Sequence, residues 1–577
     1  MGVKALLVYP ELPPTYWSMK YALPFLGKKA VMPPLGLLTV AAMLPPDWEV
    51  TLVDMNVERL SAAAVSATDL VLTSSMLVQK ESLARVIRLC KELGKTVVAG
   101  GPYPTSCHEL IHGVDHFVLN EAETTLPAFL DDFAQGKTAR VYADTGKPDI
   151  ARTPAPRFDL LRRKTYSTMA VQYSRGCPHS CEFCDIIELF GQRPRTKSPD
   201  QFLGELSLLY DEGWRGSLFV VDDNFIGNVK EVRKLLPAVA AWQEERDYPF
   251  NLFTEATLGL AADDALMDQM VAAGFNMVFL GIETPDRCTL ESAGKRQNLK
   301  SDMLSSVRRI QAKGMEVSAG FILGFDTDPD DIFDRQIRFI QEAGIPTAMV
   351  SLLTALPKTK LYQRLRSEGR LRGEAGGGNN THDLRLSYVP KMESGRLLDG
   401  YRRVLSEIYE PRRYFDRCLD LLKSLKIHRT SNRRITATEF RAFVHSLVRQ
   451  TFSTYSFSYW KFLLRGALAK PRMLAETVTM AVKGHHFFRM TKNVLEVDRI
   501  QRNLEGVAFA FEEKARDGSG ADVKEKAAEL TAWRDRVIAR NRARLRRLDA
   551  DFRVYAEEAL ARFVATTEDL LTRLAAE

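Results

Sequence analysis

The sequence predicts an α/β fold in three parts: an N-terminal doubly wound sheet, a central partial (β/α)6 barrel and a mostly α-helical C-terminal domain. Two series of short apolar, β-branched runs alternate with amphipathic stretches, one over residues 1–145 and one from about 168 to 355. Strands that alternate with helical patterns build parallel sheets. Beyond residue 395 strand-like runs become scarce. A chain of 577 residues suits three domains rather than one.

In the first series, covering 1–145, the strand candidates are Ala5–Tyr9, Glu49–Val53, Leu70–Thr73, Thr96–Ala99 and His116–Leu119. Helical patterns intervene around Leu35–Leu44 and Ser82–Leu93. Doubly wound sheets take ligands at the carboxyl edge of their strands. Here that edge offers Tyr9-Pro10, Asp54, Ser74-Ser75-Met76, Gly100-Gly101-Pro102 and Asn120-Glu121. Pro148, Pro154 and Pro156 then mark a linker over 146–165.

The second series, within 166–370, gives strand candidates Met169–Tyr173, Ser217–Val221, Phe250–Thr254, Met277–Gly281, Glu316–Leu323 and Ala348–Leu353. Ser198-Pro-Asp-Gln201 combines an N-cap, a proline at the first helical position and a capping-box glutamine, and Gly213 supplies the stop. Met303, Val307 and Ile310 share a helical face before Gly314. Six such units curve into a partial barrel whose chemistry gathers at the carboxyl strand ends. Those ends carry a cysteine-rich loop, Asp222-Asp-Asn-Phe225, Glu255, Gly281-Ile-Glu283 and Gly320-Phe-Ile-Leu-Gly324. Each also has a plain reading: Asp222 and Asp223 as helix caps, Glu283 as a turn residue, Gly320 and Gly324 as packing glycines.

The loop after the first barrel strand reads Tyr173-Ser-Arg-Gly-Cys-Pro-His-Ser-Cys-Glu-Phe-Cys184, placing thiols at Cys177, Cys181 and Cys184. Three closely spaced thiolates can hold an iron–sulfur cluster and leave one iron without a protein ligand. A zinc site completed by His179 is the competing reading, although structural zinc usually pairs two ligand clusters far apart in sequence. Cys90, Cys107, Cys288 and Cys418 stand singly, and a low, odd cysteine count in a long chain argues against a disulfide framework.

Cys-x3-Cys-x2-Cys with Phe183 before the last cysteine resembles the signature of radical S-adenosylmethionine (SAM) enzymes. The resemblance implies a [4Fe–4S] cluster on Cys177, Cys181 and Cys184, with SAM chelated to the open iron and cleaved to a 5′-deoxyadenosyl radical. It implies SAM contacts at Phe183, Asp222, Asp223, Glu255, Glu283, Gly320 and Gly324. The usual Gly-Gly-Glu after the second strand is replaced by Asp222-Asp-Asn-Phe225, a variation resembling cobalamin-linked members.

Residues 1–145 in turn resemble the cobalamin (B12)-binding domain of such enzymes. Ser75-Met76-Leu77 and Gly100-Gly101 match the elements around the nucleotide tail, Pro33-Pro-Leu-Gly36 matches the segment before the first helix, and Glu121 lies at the same edge. Where other B12 proteins carry Asp-x-His-x-x-Gly, this chain reads Asp54-Met-Asn-Val-Glu-Arg59. No imidazole stands there to ligate cobalt, which leaves its lower face bare or covered by another side chain, with Met76 and Gln79 as candidates.

Gly376-Gly-Gly-Asn-Asn380 marks a second linker over 371–394. Residues 395–577 then read as helical, with Leu397, Tyr401, Val404 and Leu405 on one face. This part resembles the helical extension of a group of cobalamin-binding radical SAM proteins that includes hopanoid methylases. The resemblance implies a methyltransferase acting on an unactivated carbon of a small-molecule or lipid-like substrate, through methylcobalamin and the deoxyadenosyl radical. A flavodoxin or ferredoxin would supply electrons. A radical cyclase or rearrangement catalyst without methyl transfer, and a noncatalytic cluster- or corrinoid-binding regulator, stay open.

A net charge of +7 is modest for this length, and Arg540, Arg542, Arg544, Arg546 and Arg547 alternate instead of forming one stripe. They read as a solvated helix, and nucleic acid is the weaker partner. No apolar run approaches the roughly 18 residues of a membrane helix, and charges and prolines interrupt the first apolar segment, unlike a signal peptide. The expectation is cytoplasmic residence. Aromatic-rich Phe452–Trp460 and His485–Phe488 leave peripheral membrane contact open.

Overall fold

The computed structural model describes residues 2–373, 384–426, 437–516 and 523–576; the glycine-rich part of the expected second linker, Gly376–Asn380, lies outside them. The chain forms two compact units, Met1–His486 and Phe487–Glu577.

The first unit holds both expected sheets. The N-terminal sheet comprises β1 (Lys4–Tyr9), β2 (Glu49–Asp54), β3 (Leu70–Ser74), β4 (Thr96–Gly100), β5 (His116–Val118) and β6 (Val141–Tyr142), in the order β2-β1-β3-β4-β5-β6 and parallel throughout. Strand alternation sends Val8, Val71, Val97 and Phe117 into a core on one face and Leu7, Leu72, Val98 and Val118 into a core on the other. The sheet is therefore doubly wound, as its apolar strands require. The two-residue β6 was not predicted, being too short to show a pattern.

After β7 (Thr168–Val171), an antiparallel pair, β8 (Ser174–Arg175) and β9 (Arg195–Thr196), brackets the cysteine loop. Next come β10 (Gly216–Val220), β11 (Phe250–Ala256), β12 (Phe275–Glu283), β13 (Glu316–Leu323) and β14 (Ala348–Leu352). Together with β7 they form a six-stranded parallel sheet, ordered β14-β13-β12-β11-β10-β7. The expected helix at Ser198 runs from Pro199 to Asp211, and the Ser198 hydroxyl accepts from the Gln201 N–H at 3.1 Å.

A partial barrel is open between its first and last strands, here β7 and β14. Residues 16–31 run from one lip of that opening to the other. Tyr16 stacks on Tyr409 at 5.4 Å, and the Tyr409 hydroxyl donates to the Ala348 carbonyl at the start of β14 (2.6 Å). At the other end Ala30 bridges to Tyr166, and the Thr168 N–H at the start of β7 donates to the Val31 carbonyl (2.9 Å). Helices Ser394–Ile408 and Pro411–Ser424 cover the β14 side: the Tyr401 hydroxyl donates to Val350, and the buried Arg417 guanidinium donates to the carbonyls of Ile345, Pro346 and Ile408.

The second unit contains the end of the Leu474–Arg516 helix and the helices Val523–Leu545 and Ala550–Ala576, with Phe511 stacked on Trp533 (5.7 Å) beside buried Leu530 and Leu574. Among the described residues no helix is long and apolar enough to cross a membrane.

Candidate active site

The cysteine loop is held from several directions. Both Asp222 oxygens face it: the N–H groups of Tyr173 and Ser174 donate at 2.7 and 2.8 Å, and the Ser174 hydroxyl at 2.6 Å. Asp222 is thus occupied by the loop's backbone and supports it from below. Next to it, Asp223 accepts from the Gly176 N–H (3.1 Å). The Glu182 N–H donates to the Ala293 carbonyl, the Glu182 carbonyl accepts from the Leu361 N–H, and the Glu182 carboxylate pairs with Arg364 at 3.0 Å. Side-chain amides approach two of the sulfurs, Asn224 at 3.9 Å from Cys177 and Gln297 at 3.6 Å from Cys181. Such donors favour thiolate over thiol, whereas burial pushes the Cys177 and Cys184 thiols up in the free protein.

Above the loop the strand ends converge as expected. Glu255 ends β11 on its inner face, Asp223 follows β10, and Glu283 closes β12, where the β12–β13 register shifts between Gly281 and Glu283. Glu283 adopts φ +66°, a left-handed conformation that a non-glycine residue rarely holds without cause. Its carboxylate pairs with Lys295, and side chains at Gly281 or Gly320 would crowd that pair or the Phe279 ring. Burial, then the neighbouring Asp222 and Asp185 carboxylates, raise Asp223 to about 7. Burial, then Asp223, raise Glu255 to about 8, with Glu283 adding to the push and Lys295 opposing it. Burial alone would lower Lys295, but Glu283 and the cysteines hold it up. This chamber of acidic groups with one lysine suits a ligand carrying positive charge and several hydroxyls.

Phe183 packs edge-on against Phe325 (5.8 Å), with the Lys295 ammonium 5.8 Å from its centroid. Gly324, at φ +105°, makes a turn whose carbonyl accepts from the Tyr388 hydroxyl and whose N–H donates to Asp328. Below the polar groups the inward side of the barrel is aromatic. Phe219 and Phe253 stack at 4.7 Å, and Phe279 meets Trp17 at 4.9 Å.

At the edge of the N-terminal sheet, alternation places Thr73 and Ser75 on the same side of β3 and its continuation. Both are buried, and among the described residues neither hydroxyl has a hydrogen-bond partner, a state that calls for a ligand or water. Gly101 lies beside them at φ +88°, with no room for a side chain against Ser74, and Gly100 abuts the Val118 carbonyl. Leu77 packs on the core beneath, and Met76 remains exposed.

Glu121, expected at this ligand edge, instead accepts from Arg175 (3.0 Å) and Arg195 (2.8 Å), the residues flanking the cysteine loop on β8 and β9. Gln79 is committed within the fold: its oxygen accepts from the Met76 N–H and its amide donates to the Pro10 carbonyl. Asn56, standing at the histidine position, is tied to Leu12 and Asp54 (2.8 and 2.7 Å), and Asp54 accepts from Tyr166 (2.9 Å). Lys295, Arg175, Arg195, Thr73, Asn224 and Gln297 were not singled out from sequence. Only Arg175 and Asn224 carried a signal, by lying within the motifs already chosen.

Comparison with known proteins agrees with this geometry. Family models match a B12 binding domain over 28–130, the Radical SAM superfamily over 171–340 and a domain of unknown function over 359–499. An uncharacterized methyltransferase of Synechocystis sp. is 41% identical over 84% of this chain and 92% of its own. The chain belongs to the cobalamin-binding radical SAM family. The hopanoid C-2 methylase of Rhodopseudomonas palustris is 29% identical over 89% of this chain and 97% of its own. In fold, the chain is similar to the cobalamin-dependent SAM radical enzyme OxsB with aqua-cobalamin and SAM bound, at TM-score 0.56 and 14% identity, covering 98% of this chain and 84% of that one.

As a member of this family the chain is an enzyme whose cofactors are a [4Fe–4S] cluster, SAM and cobalamin. Its residues fit all three. Three thiols on one braced loop are the donor set of a cluster. Among the described residues no three His, Cys, Asp or Glu side chains converge on a single ion, and in a polynuclear cluster each iron takes its own thiolate. The acidic chamber has the charge and acceptors to suit the ammonium and ribose of SAM. The bare hydroxyls of Thr73 and Ser75 suit a polar ligand such as cobalamin's tail.

Proposed function

We propose that this radical SAM enzyme is a C-methyltransferase that modifies an unactivated carbon of an apolar, lipid-like small molecule. The observation that carries the substrate class is the aromatic inner wall, Phe219, Phe253, Phe279 and Trp17, directly below the acidic chamber. A wall of this kind rewards apolar surface and offers no partner to an anionic substrate. The hopanoid methylase relative supports the same class.

The cluster with SAM supplies a hydrogen-abstracting radical and cobalamin supplies the methyl group, chemistry that side chains cannot perform on an inert C–H bond. The chain's own residues bind and orient. Cys177, Cys181 and Cys184 hold the cluster; Asp222 acts through the loop by fixing its backbone. Asp223, Glu255, Glu283, Phe183, Gly320 and Gly324 line the SAM side, and Ser75, Met76, Leu77, Gly100 and Gly101 the cobalamin side. Glu121 positions the cysteine loop against the cobalamin domain. The aromatic wall excludes water from the reacting carbon. A flavodoxin- or ferredoxin-type protein supplies the electron.

The test is incubation of reconstituted enzyme with methyl-labelled SAM, reductant and a lipid extract. The expected result is a labelled lipid together with 5′-deoxyadenosine and S-adenosylhomocysteine. Deoxyadenosine without labelled product would replace methyl transfer by cyclisation or rearrangement; neither nucleoside would make the protein a noncatalytic binder.

A further inference from the structure

Helices Ala437–Thr451 and Ser456–Ala469 carry an aligned set of exposed apolar side chains that no part of the proposed chemistry uses. Phe440, Val444 and Val448 recur every four residues on the first, Phe452 follows in the connecting turn, and Phe457, Trp460, Leu464 and Leu468 recur at three- and four-residue spacing on the second. That spacing gathers each series on one face. Phe452, Phe457 and Leu468 are 87%, 82% and 83% exposed. Single exposed hydrophobes are ordinary; an aligned set marks an interaction surface.

The other faces of both helices are firmly packed, so the outward orientation is built in. Tyr459, Phe462, Leu463 and Gly466 are buried, Phe462 stacks on Phe415 at 4.8 Å, and the Ser446 and Tyr459 hydroxyls meet at 3.1 Å. Charge identifies the partner. Residues 437–476 hold six basic side chains, Arg441, Arg449, Lys461, Arg465, Lys470 and Arg472, against Glu439 and Glu476. Arg449 lies over the Phe25 ring (5.2 Å) and Arg441 beside Gly27, both turned inward. Lys461, Arg465 and Arg472 form no ion pair among the described residues, and Arg465 and Arg472 are exposed. Aromatic and leucine side chains interleaved with unpaired cations match the boundary between acyl chains and anionic headgroups. A second copy fits worse, because a two-fold pairing would bring the same cations together.

We propose that this helical pair is a docking surface for an anionic lipid bilayer, seating Phe452, Phe457, Leu464 and Leu468 at the acyl boundary and Lys461, Arg465 and Arg472 against headgroup phosphates. It deepens the lipid-substrate reading by giving the enzyme a route to its substrate, yet its test requires no turnover. The full chain is floated with phosphatidylcholine vesicles with or without phosphatidylglycerol. Flotation is expected with the anionic vesicles and is expected to fall with added salt. The F452S/F457S/L468S variant should partition at least about tenfold less, with unchanged circular dichroism and thermal midpoint because these side chains face solvent. Brominated lipid should quench tryptophan emission in the native chain and much less in Trp460→Phe. Absence of flotation by the native chain, or equal flotation by the triple variant, would overturn the proposal. So would a native dimer that the triple variant converts to monomer, since the face would then join two copies. None of these outcomes bears on the labelled-methyl assay, so the two readings fail separately.

Discussion

Ser75 and Glu255 are single residues whose burial costs the ligand-free fold, one as an unpartnered hydroxyl and one as a carboxyl pushed up by burial. A buried hydroxyl without a partner costs about 1–3 kcal/mol. Ser75→Ala is therefore expected to raise the stability of the cobalamin-free protein by about 1 kcal/mol and to weaken cobalamin about fivefold, a crossed outcome read by urea unfolding and by retention of the corrinoid. Glu255 makes the matching case for charge. Its carboxyl rises from 4.5 to about 8 on folding, so over that interval the native state binds the proton more tightly than the unfolded chain. The contribution is whole below 4.5 and is lost as pH climbs through about 8. Native protein should thus lose stability relative to Glu255→Gln as pH rises, with no difference at pH 4 and a gap on the order of 5 kcal/mol at pH 9, measured on SAM-free protein. A gap independent of pH would place the ionised carboxylate in an accommodating site. Sequence made Ser75 and Glu255 legible as strand-end polar residues. It did not make Lys295 legible, because its partner Glu283 is twelve positions away and meets it only through the left-handed turn that ends β12.

The elements explain which expectations survived unaltered. Strand cores were readable because apolar alternation is local: Glu316–Leu323 was delimited residue for residue. Contacts between elements were not, and Glu121 is the instructive case. Its place at the end of β5 suggests a ligand contact, but the β8–β9 pair, two residues on each side, brings Arg175 and Arg195 onto it. Nothing local in so short a pair announces that. The consequence is a charged bracket joining the cobalamin-side sheet to the loop of the cluster cysteines. Glu121→Ala leaves Arg175 with Glu123 and Arg195 with only the carbonyls of Pro148 and Phe190, and should cost about 1.5–3 kcal/mol, measured by denaturant unfolding. Glu121→Gln should cost less, retain cobalamin, and alter the cluster's electron paramagnetic resonance signal through a displaced loop. An unchanged signal with full stability would reduce the bracket to a surface pair.

For the molecule as a whole, length and linkers suggest three domains, and the barrel makes contacts with chain from both sides of it. The lips of its opening at β7 and β14 are bridged by residues 16–31, with Tyr16 stacked on Tyr409 and Trp17 against Phe279. From the far side, Lys483 reaches Glu316 at the start of β13 (2.7 Å), and Tyr414 donates to the Met480 carbonyl. A barrel without these segments would expose the edges of β7 and β14 and the aromatic wall to water, the conditions under which sheets pair with one another and aggregate. A fragment spanning 146–370 should therefore fail to give a soluble, cooperatively melting protein. In the full chain, amides of β1, β7 and β13 should exchange hydrogen through the same opening event, with matching protection and matching denaturant dependence. Earlier exchange throughout the N-terminal sheet would instead make the cobalamin side a unit that opens alone, and the bridge across the barrel would then be a latch.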